Sequence, residues 1–176
     1  RDHIRRLTEK IQGAEVVAVS DVFEESAKKA AEICGAKVYT DSRELINAED
    51  VDAVFIVSPG FAHVDSLLQA IEAGKRIFCE KPLCTTAEDC LKVVKAEEAA
   101  GKHLIQLGFM RRYDKGYQQI KEALATGEYG EPLILHCTHR NPEVGTNYNT
   151  PMAVHDTAIH EIDVLHWLVD DEYESA

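Results

Sequence analysis

The feature that most constrains the fold of this sequence is a repeated alternation of short apolar runs with amphipathic segments between residues 14 and 109. The apolar runs are rich in β-branched and aromatic residues, which indicates strands, and the segments between them have helical spacing. The predicted strands are AEVVAVSD, KVYT, VDAVFIVS, RIFCE and HLIQLGF, and the predicted helices are FEESAKKAAEIC, SRELINA, AHVDSLLQAIEAG and TAEDCLKVVKAEEAAG. Strands that alternate with helices predict an α/β fold, a doubly wound parallel sheet with helices on both faces. Because DAVFIVS is almost entirely apolar, we expect that strand to be buried on both faces.

The regular alternation of strands and helices ends near residue 110. We place a domain boundary there, between residues 1–110 and 111–176. The second region predicts an amphipathic helix, a strand at LILHCTHR, a polar loop, and a second helix over AVHDTAIHEIDVLHWLV. One strand and two helices are too few for a closed sheet. We therefore expect this region to be the truncated beginning of a second domain.

The start of the chain differs from that of a complete dinucleotide-binding fold. Such a fold opens with a strand and a Gly-rich turn at the N-terminus of its first helix. Here RDHIRRL has the character of the helix itself. We therefore expect the first strand and the phosphate-binding turn to lie upstream of Arg1, and the chain to be an internal fragment of a longer enzyme.

Composition excludes several classes of partner. The formal net charge is -12, and no cluster of Lys and Arg is long enough to follow a phosphate backbone, which argues against nucleic acid. No apolar stretch approaches the roughly 20 residues of a membrane-spanning helix, and the N-terminus lacks the apolar core of a signal peptide. We therefore predict a cytoplasmic protein without a membrane partner. The five cysteines follow no disulfide or zinc-ligand spacing, so we expect reduced, mostly buried thiols and no metal.

Candidate ligand-binding residues follow the predicted strands, since parallel sheets bind ligands at the carboxyl ends of their strands. A carboxylate at Asp21 can accept hydrogen bonds from ribose hydroxyls and would repel a 2′-phosphate, which favours NAD over NADP; the alternative is a helix cap. The stretch SPGFAH, from Ser58 to His63, follows the central strand, and its alternative is an ordinary turn. In CEKPL, Glu80 and Lys81 come at a strand end, where Lys81 could hold a substrate oxygen or simply pair with Glu80.

The densest group of polar residues is HDTAIHEIDVLHW. Asp156 and His160 are four residues apart and would share a helical face, and a carboxylate beside an imidazole raises its basicity, as a general base requires. The alternatives are a helix with surface His and Asp, or a metal-binding helix around His155, His160 and His166. We discount the metal because no third ligand is convincingly placed.

Four motifs together resemble the glucose-fructose oxidoreductase and inositol dehydrogenase family across essentially the whole chain: CEKPL, GFMRRYDKGY, HRNP and DTAIHEIDVLHWL. The last three are the more specific for inositol enzymes of the family. The resemblance implies a Rossmann-type NAD-binding domain followed by an α+β substrate domain, whose open sheet forms homo-oligomers, commonly tetramers. SPGFAH departs from the SWGPAH-like form of the inositol enzymes.

The resemblance also implies roles for individual residues. Lys81, Asp156 and His160 would be catalytic, with His160 taking the hydroxyl proton, Asp156 orienting it, and Lys81 holding the developing alkoxide. The residues implied to bind substrate are Arg111, Asn141 and Asp163, and those implied to bind the NAD cofactor are Asp21, Ser58, His63, Glu80 and Lys81.

The expected activity is NAD-dependent oxidation of a small-molecule polyol, myo-inositol, to its 2-keto form, scyllo-inosose. Scyllo-inositol, chiro-inositol and glucose remain alternative substrates, because their rings offer similar hydroxyl arrays. A non-catalytic sugar or NAD sensor of the same fold is the alternative from another class.

Overall fold

The computed structural model describes residues 1–175 and confirms the α/β alternation of a Rossmann-type fold. The strands are β1 (Ala18–Ser20), β2 (Lys37–Tyr39), β3 (Ala53–Ile56), β4 (Arg76–Cys79) and β5 (Ile105–Leu107). The helices are α1 (Asp2–Glu9), α2 (Glu24–Ala31), α3 (Ser42–Ile46), α4 (His63–Glu72), α5 (Ala87–Ala100), α6 (Lys115–Ala125), the single turn α7 (Thr150–Met152) and α8 (Ile159–Val169). Two 3-10 turns (Gly60–Ala62 and Met110–Tyr113) and a π-helical segment (Ala153–Ala158) complete the backbone.

All strand pairs in the structure are parallel, as the alternation predicts. β1 pairs with β2 in a two-stranded sheet, and β3, β4 and β5 form a three-stranded sheet in that order. Phe78 in β4 lies opposite Phe55 in β3 and Gln106 in β5. Parallel pairing places the carboxyl ends of β3, β4 and β5 at a single edge.

The main core lies on one face of the three-stranded sheet. Val54, Ile56, Ile77 and Cys79 alternate toward the buried side, where they join side chains of α4 and α5. The expectation that β3 is buried on both faces is wrong for Phe55, whose side chain is partly exposed. On that face its ring meets the Phe78 ring, at a centroid distance of 5.0 Å, and the more distant ring of His3 from α1, so the cover is incomplete.

Both ends of α5 are set by specific residues. Thr86 Oγ1 accepts a hydrogen bond from the backbone N–H of Asp89 and donates one to the Asp89 carboxylate, which caps the N-terminus. Gly101 ends the helix at φ +64°, a conformation that is strained for residues with a Cβ atom. The Glu97 carboxylate then accepts the backbone N–H groups of Leu104 and Ile105, which fixes the start of β5.

The predicted strand LILHCTHR forms no ladder with any part of residues 1–175, although its backbone is not helical. Leu133 is 91% exposed and Ile134 is similarly open. A strand exists only where a neighbour accepts its N–H groups and donates to its carbonyls, and local propensity does not supply that neighbour. The prediction was therefore wrong for this part of the chain.

The C-terminal helix α8 is anchored by an ion pair between a half-buried arginine and a buried carboxylate. Arg112, in the 3-10 turn after β5, donates from Nε to both carboxylate oxygens of Asp163, at 3.1 and 3.0 Å, and from Nη2 to Oδ1 at 2.5 Å. The Asp163 side chain is only 6% exposed. Lys121 of α6 adds a hydrogen bond to the Leu168 carbonyl and lies over the Trp167 ring. These contacts hold α8 against the end of β5 and against α6.

The cysteines are free thiols in different environments. Cys79 and Cys84 are buried, and burial raises the pKa of each thiol to about 12. Cys137 is exposed, which the expectation of mostly buried cysteines did not anticipate. Across residues 1–175, no helix combines the length and apolar character needed to cross a lipid bilayer.

Leu67→Ala should lower the free energy of unfolding by about 2–5 kcal/mol, because Leu67 is fully buried between α4 and the sheet and its loss leaves a cavity. Leu91→Ala, on the exposed side of α5, is the matched control and should change stability by less than about 1 kcal/mol. Urea denaturation of both variants measures the difference. Equal effects at the two positions would contradict the position of the core.

Arg112→Ala should destabilise the protein more than Asp163→Asn. The first variant leaves a buried carboxylate without its cation, at a cost of about 3 kcal/mol, whereas the amide that Asp163→Asn introduces keeps an acceptor for Arg112. Thermal denaturation of the two variants tests the order. The reverse order would mean that the carboxylate is hydrated and that the pair is not an anchor.

Candidate active site

The predicted ligand-binding residues of the first region lie at the carboxyl ends of the strands. Asp21 follows β1, Ser58 follows β3, and Glu80 and Lys81 follow β4 directly. The structure therefore brings Ser58, Glu80 and Lys81 to one edge of the three-stranded sheet, as the pattern of the sequence predicts.

Asp21 has the chemistry that a ribose-binding residue needs, although it also caps its own turn. Its Oδ1 accepts the backbone N–H of Phe23 at 2.9 Å, and Oδ2 lies outside that contact. Val22 and Phe23 beside it, and Val57 and Phe61 after β3, are strongly exposed apolar side chains. A carboxylate flanked by apolar surface suits NAD, which combines hydroxyl groups with flat rings.

His63 is fully buried and joins two turns at the sheet edge. Its Nε2 lies 2.7 Å from the Ser58 carbonyl oxygen, and its Nδ1 lies 2.8 Å from the Pro82 carbonyl oxygen. A Cβ atom at Gly60 would come within 3.0 Å of Pro82 Cγ, so the turns pack tightly. The backbone encloses the imidazole, which holds the turns after β3 and β4 together. The contact of His63 with a cofactor stays a prediction.

Glu80 and Lys81 have different partners, so the alternative in which they pair with each other is not what the structure shows. Glu80 Oε1 lies 2.7 Å from His3 Nε2, which connects α1 to the end of β4. Lys81 Nζ donates a hydrogen bond of 2.9 Å to the backbone carbonyl of Asp156. Lys81 therefore reaches from the sheet edge to the segment that precedes α8.

The relation between Asp156 and His160 differs from the one that an α-helix would give. Asp156 lies in the π-helical segment, and its Oδ1 is 3.2 Å from Nδ1 of His155. Within residues 1–175 the structure shows no hydrogen bond from Asp156 to His160. A π-helix has more residues per turn than an α-helix, so residues four apart no longer lie directly above one another.

His160 combines burial with nearby positive charge. It lies in the first turn of α8 and is 7% exposed. Burial lowers the pKa of His160 below its ordinary value of 6.5, and the charges of Lys81 and Arg111 lower it further. The imidazole is therefore neutral near pH 7, which is the state that accepts a proton.

Arg111 and Asn141, both predicted to bind substrate, are connected through two residues that the sequence analysis did not propose. The Arg111 guanidinium donates to Oε1 of Glu161, and Nδ1 of His139 lies 3.2 Å from Oε2 of the same carboxylate. The other ring nitrogen of His139 is 3.1 Å from Asn141 Oδ1. Arg111, His139 and Glu161 border an open cavity of about 520 Å³.

Asp163 was predicted to join this group, but the structure directs its carboxylate to Arg112. It lies two residues beyond Glu161, and an offset of about 200° on an α-helix places the two side chains on different sides. The signal that could have identified His139 is its position in the HRNP motif, directly before Arg140. The signal for Glu161 is its place directly after His160 in the same motif.

The structure shows no metal-binding arrangement among residues 1–175. No three His, Cys, Asp or Glu side chains of this part of the chain converge on a common point, and this includes His155, His160 and His166.

Several inositol 2-dehydrogenases are similar in sequence to nearly the whole chain. The inositol 2-dehydrogenase/D-chiro-inositol 3-dehydrogenase of Halalkalibacterium halodurans is 56% identical over 99% of this chain and 51% of its own length. The inositol 2-dehydrogenase of Pseudomonas syringae is 53% identical over 99% of this chain and 53% of its own length. The chain thus spans about half the length of the relatives it matches.

Solved structures of inositol dehydrogenases are also similar to nearly the whole chain. The myo-inositol dehydrogenase of Lactobacillus casei, in complex with NAD(H) and myo-inositol, is similar with a TM-score of 0.94 and 50% identity over 98% of this chain and 51% of that one. The scyllo-inositol dehydrogenase of the same species, with NAD(H) and scyllo-inositol bound, has a TM-score of 0.82 and 27% identity over 97% of this chain and 53% of that one.

Two family models divide the chain between them. The model described as an oxidoreductase family with an NAD-binding Rossmann fold matches residues 1–109, and the model of the GFO/IDH/MocA C-terminal domain matches residues 117–176. The resemblance carried by the four motifs is confirmed, and the chain belongs to the GFO/IDH/MocA family of oxidoreductases.

Proposed function

We propose that the full-length protein is an NAD-dependent inositol 2-dehydrogenase that oxidises myo-inositol to its 2-keto form, scyllo-inosose. The observation that carries the proposal is the environment of His160: a buried imidazole with a lowered pKa, close to the cations Lys81 and Arg111. Oxidation of a secondary alcohol requires a base for the hydroxyl proton and a cation for the oxygen that loses it.

His160 is the proposed general base. Its lowered pKa keeps the ring unprotonated at neutral pH, and burial excludes the water that would compete for the proton. Lys81 would hold the substrate oxygen as negative charge develops on it. To do so, the ammonium group would either leave the Asp156 carbonyl or keep that hydrogen bond and use another of its N–H donors for the substrate. The orienting role of the Asp156 carboxylate toward His160 stays a prediction.

When bound, NAD would supply the acceptor for the hydride from the carbinol carbon. The residues that would hold the cofactor are Asp21 at the ribose hydroxyls, with Ser58, Glu80 and Lys81 at the sheet edge nearer the substrate. Asp21 would disfavour a 2′-phosphate by charge repulsion. His63 would support this edge from below by holding the Ser58 and Pro82 turns.

The choice of myo-inositol is supported by the relatives and by the polar side chains connected to Arg111. Over the aligned residues, the neighbour bound to myo-inositol is 50% identical to this chain, and the neighbour bound to scyllo-inositol is 27% identical. Fixed donors and acceptors at Arg111, His139 and Asn141 match a ring that carries many hydroxyls, and they disfavour analogues that lack one. Chiro-inositol is the second candidate, because the name of one relative includes a D-chiro-inositol activity.

The sensor alternative requires no proton acceptor, so the environment of His160 argues against it. A site that only binds a polyol gains nothing from a histidine whose pKa is lowered by burial and by two cations. Binding of NAD and polyol without turnover would favour the sensor.

His160→Ala in the full-length protein should lower turnover of myo-inositol by roughly two to four orders of magnitude, because the proton acceptor is removed. In the wild type, kcat/KM should fall on the acid side with a midpoint below pH 6.5, in the direction of the lowered pKa. NADH absorbance measures both quantities. His166→Ala, six residues further along the same helix, is the matched control, and its turnover of myo-inositol should be close to that of the wild type. Near-normal turnover of His160→Ala would refute the assignment.

Asp21→Ala should weaken NAD binding and reduce discrimination against NADP, because the carboxylate that repels a 2′-phosphate is lost. Asp41→Ala is the matched control: Asp41 accepts a backbone N–H two residues on, as Asp21 does, but follows β2 instead of β1. Fluorescence titration of the full-length variants with NADH and NADPH gives the ratio of the two dissociation constants. An unchanged ratio in Asp21→Ala would count against the ribose contact.

A further inference from the structure

We infer that Glu161 is a positioning residue that holds Arg111 and His139 in place for the polyol, an inference that rests on the proposed function. Neither the motifs of the sequence nor the similarity to known proteins assigns a role to this residue. Glu161 contacts two segments of the chain, one of these segments forms no strand ladder within residues 1–175, and the charge of Glu161 acts on His160.

Glu161 uses its two carboxylate oxygens for two different segments of the chain. Oε1 accepts from the Arg111 guanidinium, which comes from the 3-10 turn after β5, and Oε2 lies 3.2 Å from His139 Nδ1. The Glu161 side chain is 17% exposed and Arg111 is similarly enclosed. Because both oxygens are engaged within the protein, Glu161 acts on the substrate through its neighbours.

Among residues 1–175, the backbone around His139 gives it no ladder support, and besides Glu161 its ring contacts polar side chains near it: Arg111 Nη2 lies 3.4 Å from His139 Nδ1, and Asn141 lies at the other ring nitrogen. It lies in the segment 133–140, which forms no ladder within residues 1–175. A segment without ladder hydrogen bonds leaves its side chains free to move unless other contacts hold them. The contact with Glu161 fixes one side of the ring, and the ring in turn lies 3.1 Å from Asn141 Oδ1. Glu161 therefore organises both Arg111 and the 139–141 segment.

The charge of Glu161 has a second effect, on His160. Burial opposes ionisation of Glu161, but hydrogen bonds from Arg111 and His139 outweigh it and hold the pKa of the carboxyl below its usual value. The resulting negative charge raises the pKa of His160, against the lowering by burial, Lys81, Arg111 and His139. Glu161 thus limits how far the basicity of His160 falls.

Glu161→Gln in the full-length protein is the first test. Gln keeps the length of the side chain and one acceptor but loses the charge. We expect the KM for myo-inositol to rise about tenfold, as for loss of a charge-assisted hydrogen bond, while the KM for NAD stays unchanged. The acid limb of kcat/KM should move to lower pH, because the negative charge that raises the pKa of His160 is gone.

Two further variants separate charge from geometry and control for general effects. Glu161→Asp keeps the charge but shortens the reach, so its KM for myo-inositol should rise while the acid limb stays near that of the wild type. This variant also serves if Glu161→Gln does not fold. Glu172→Gln removes another Glu–His contact near the end of α8, to His166, from a side chain that is 91% exposed, and its kinetics should be those of the wild type.

The outcomes separate this inference from the proposed function. If the wild type oxidises myo-inositol but Glu161→Gln and Glu161→Asp leave the KM and the acid limb unchanged, the positioning role is wrong while the function stands. If the wild type oxidises no polyol, the proposed function fails, and crystal structures of wild type and Glu161→Gln then decide: displaced Arg111 and His139 side chains support the role, and unmoved ones overturn it.

Discussion

The hydrogen bond from Lys81 to the backbone carbonyl of Asp156 joins the edge of the parallel sheet to the segment that carries His160. Parallel pairing of β3 with β4 brings Lys81 to that edge, and the ion pair of Arg112 with the buried Asp163 holds α8 close enough for the contact to form. The geometry of the site therefore depends on two separate supports: the backbone ladders of the sheet, and the side-chain contacts of α8, of which the Arg112–Asp163 ion pair is the main one.

The sheet edge was predictable because it follows from local patterns. Alternating strands and helices require a parallel sheet, and a parallel sheet places Ser58, Glu80 and Lys81 at one end. The segment around Asp156 was not predictable in the same way. The choice between α- and π-helix depends on which carbonyl finds a partner, and Lys81, which takes the Asp156 carbonyl, is distant in sequence. Likewise, residues 133–140 have strand propensity but no neighbouring strand within residues 1–175.

Individual side chains also differ in how well the sequence predicts them. Lys81 was proposed from its place after a strand, and its charge lies near enough to His160 to lower the pKa of that imidazole. His63 was proposed as a cofactor contact from its place after a turn, yet the ring is enclosed by the carbonyls of Ser58 and Pro82. A sequence shows which residues come near an edge, but it does not show which of them face outward, because that depends on how closely two turns pack.

The turn Met110–Tyr113 carries two arginines in succession, and its geometry gives them independent tasks. With three residues per turn, adjacent side chains of a 3-10 helix point about 120° apart. Arg111 consequently donates to Glu161 beside the cavity, while Arg112 donates to Asp163 and anchors α8. A change at one arginine leaves the partner of the other in place, so Arg111 can be replaced in the course of evolution without loss of the contact by which Arg112 holds α8.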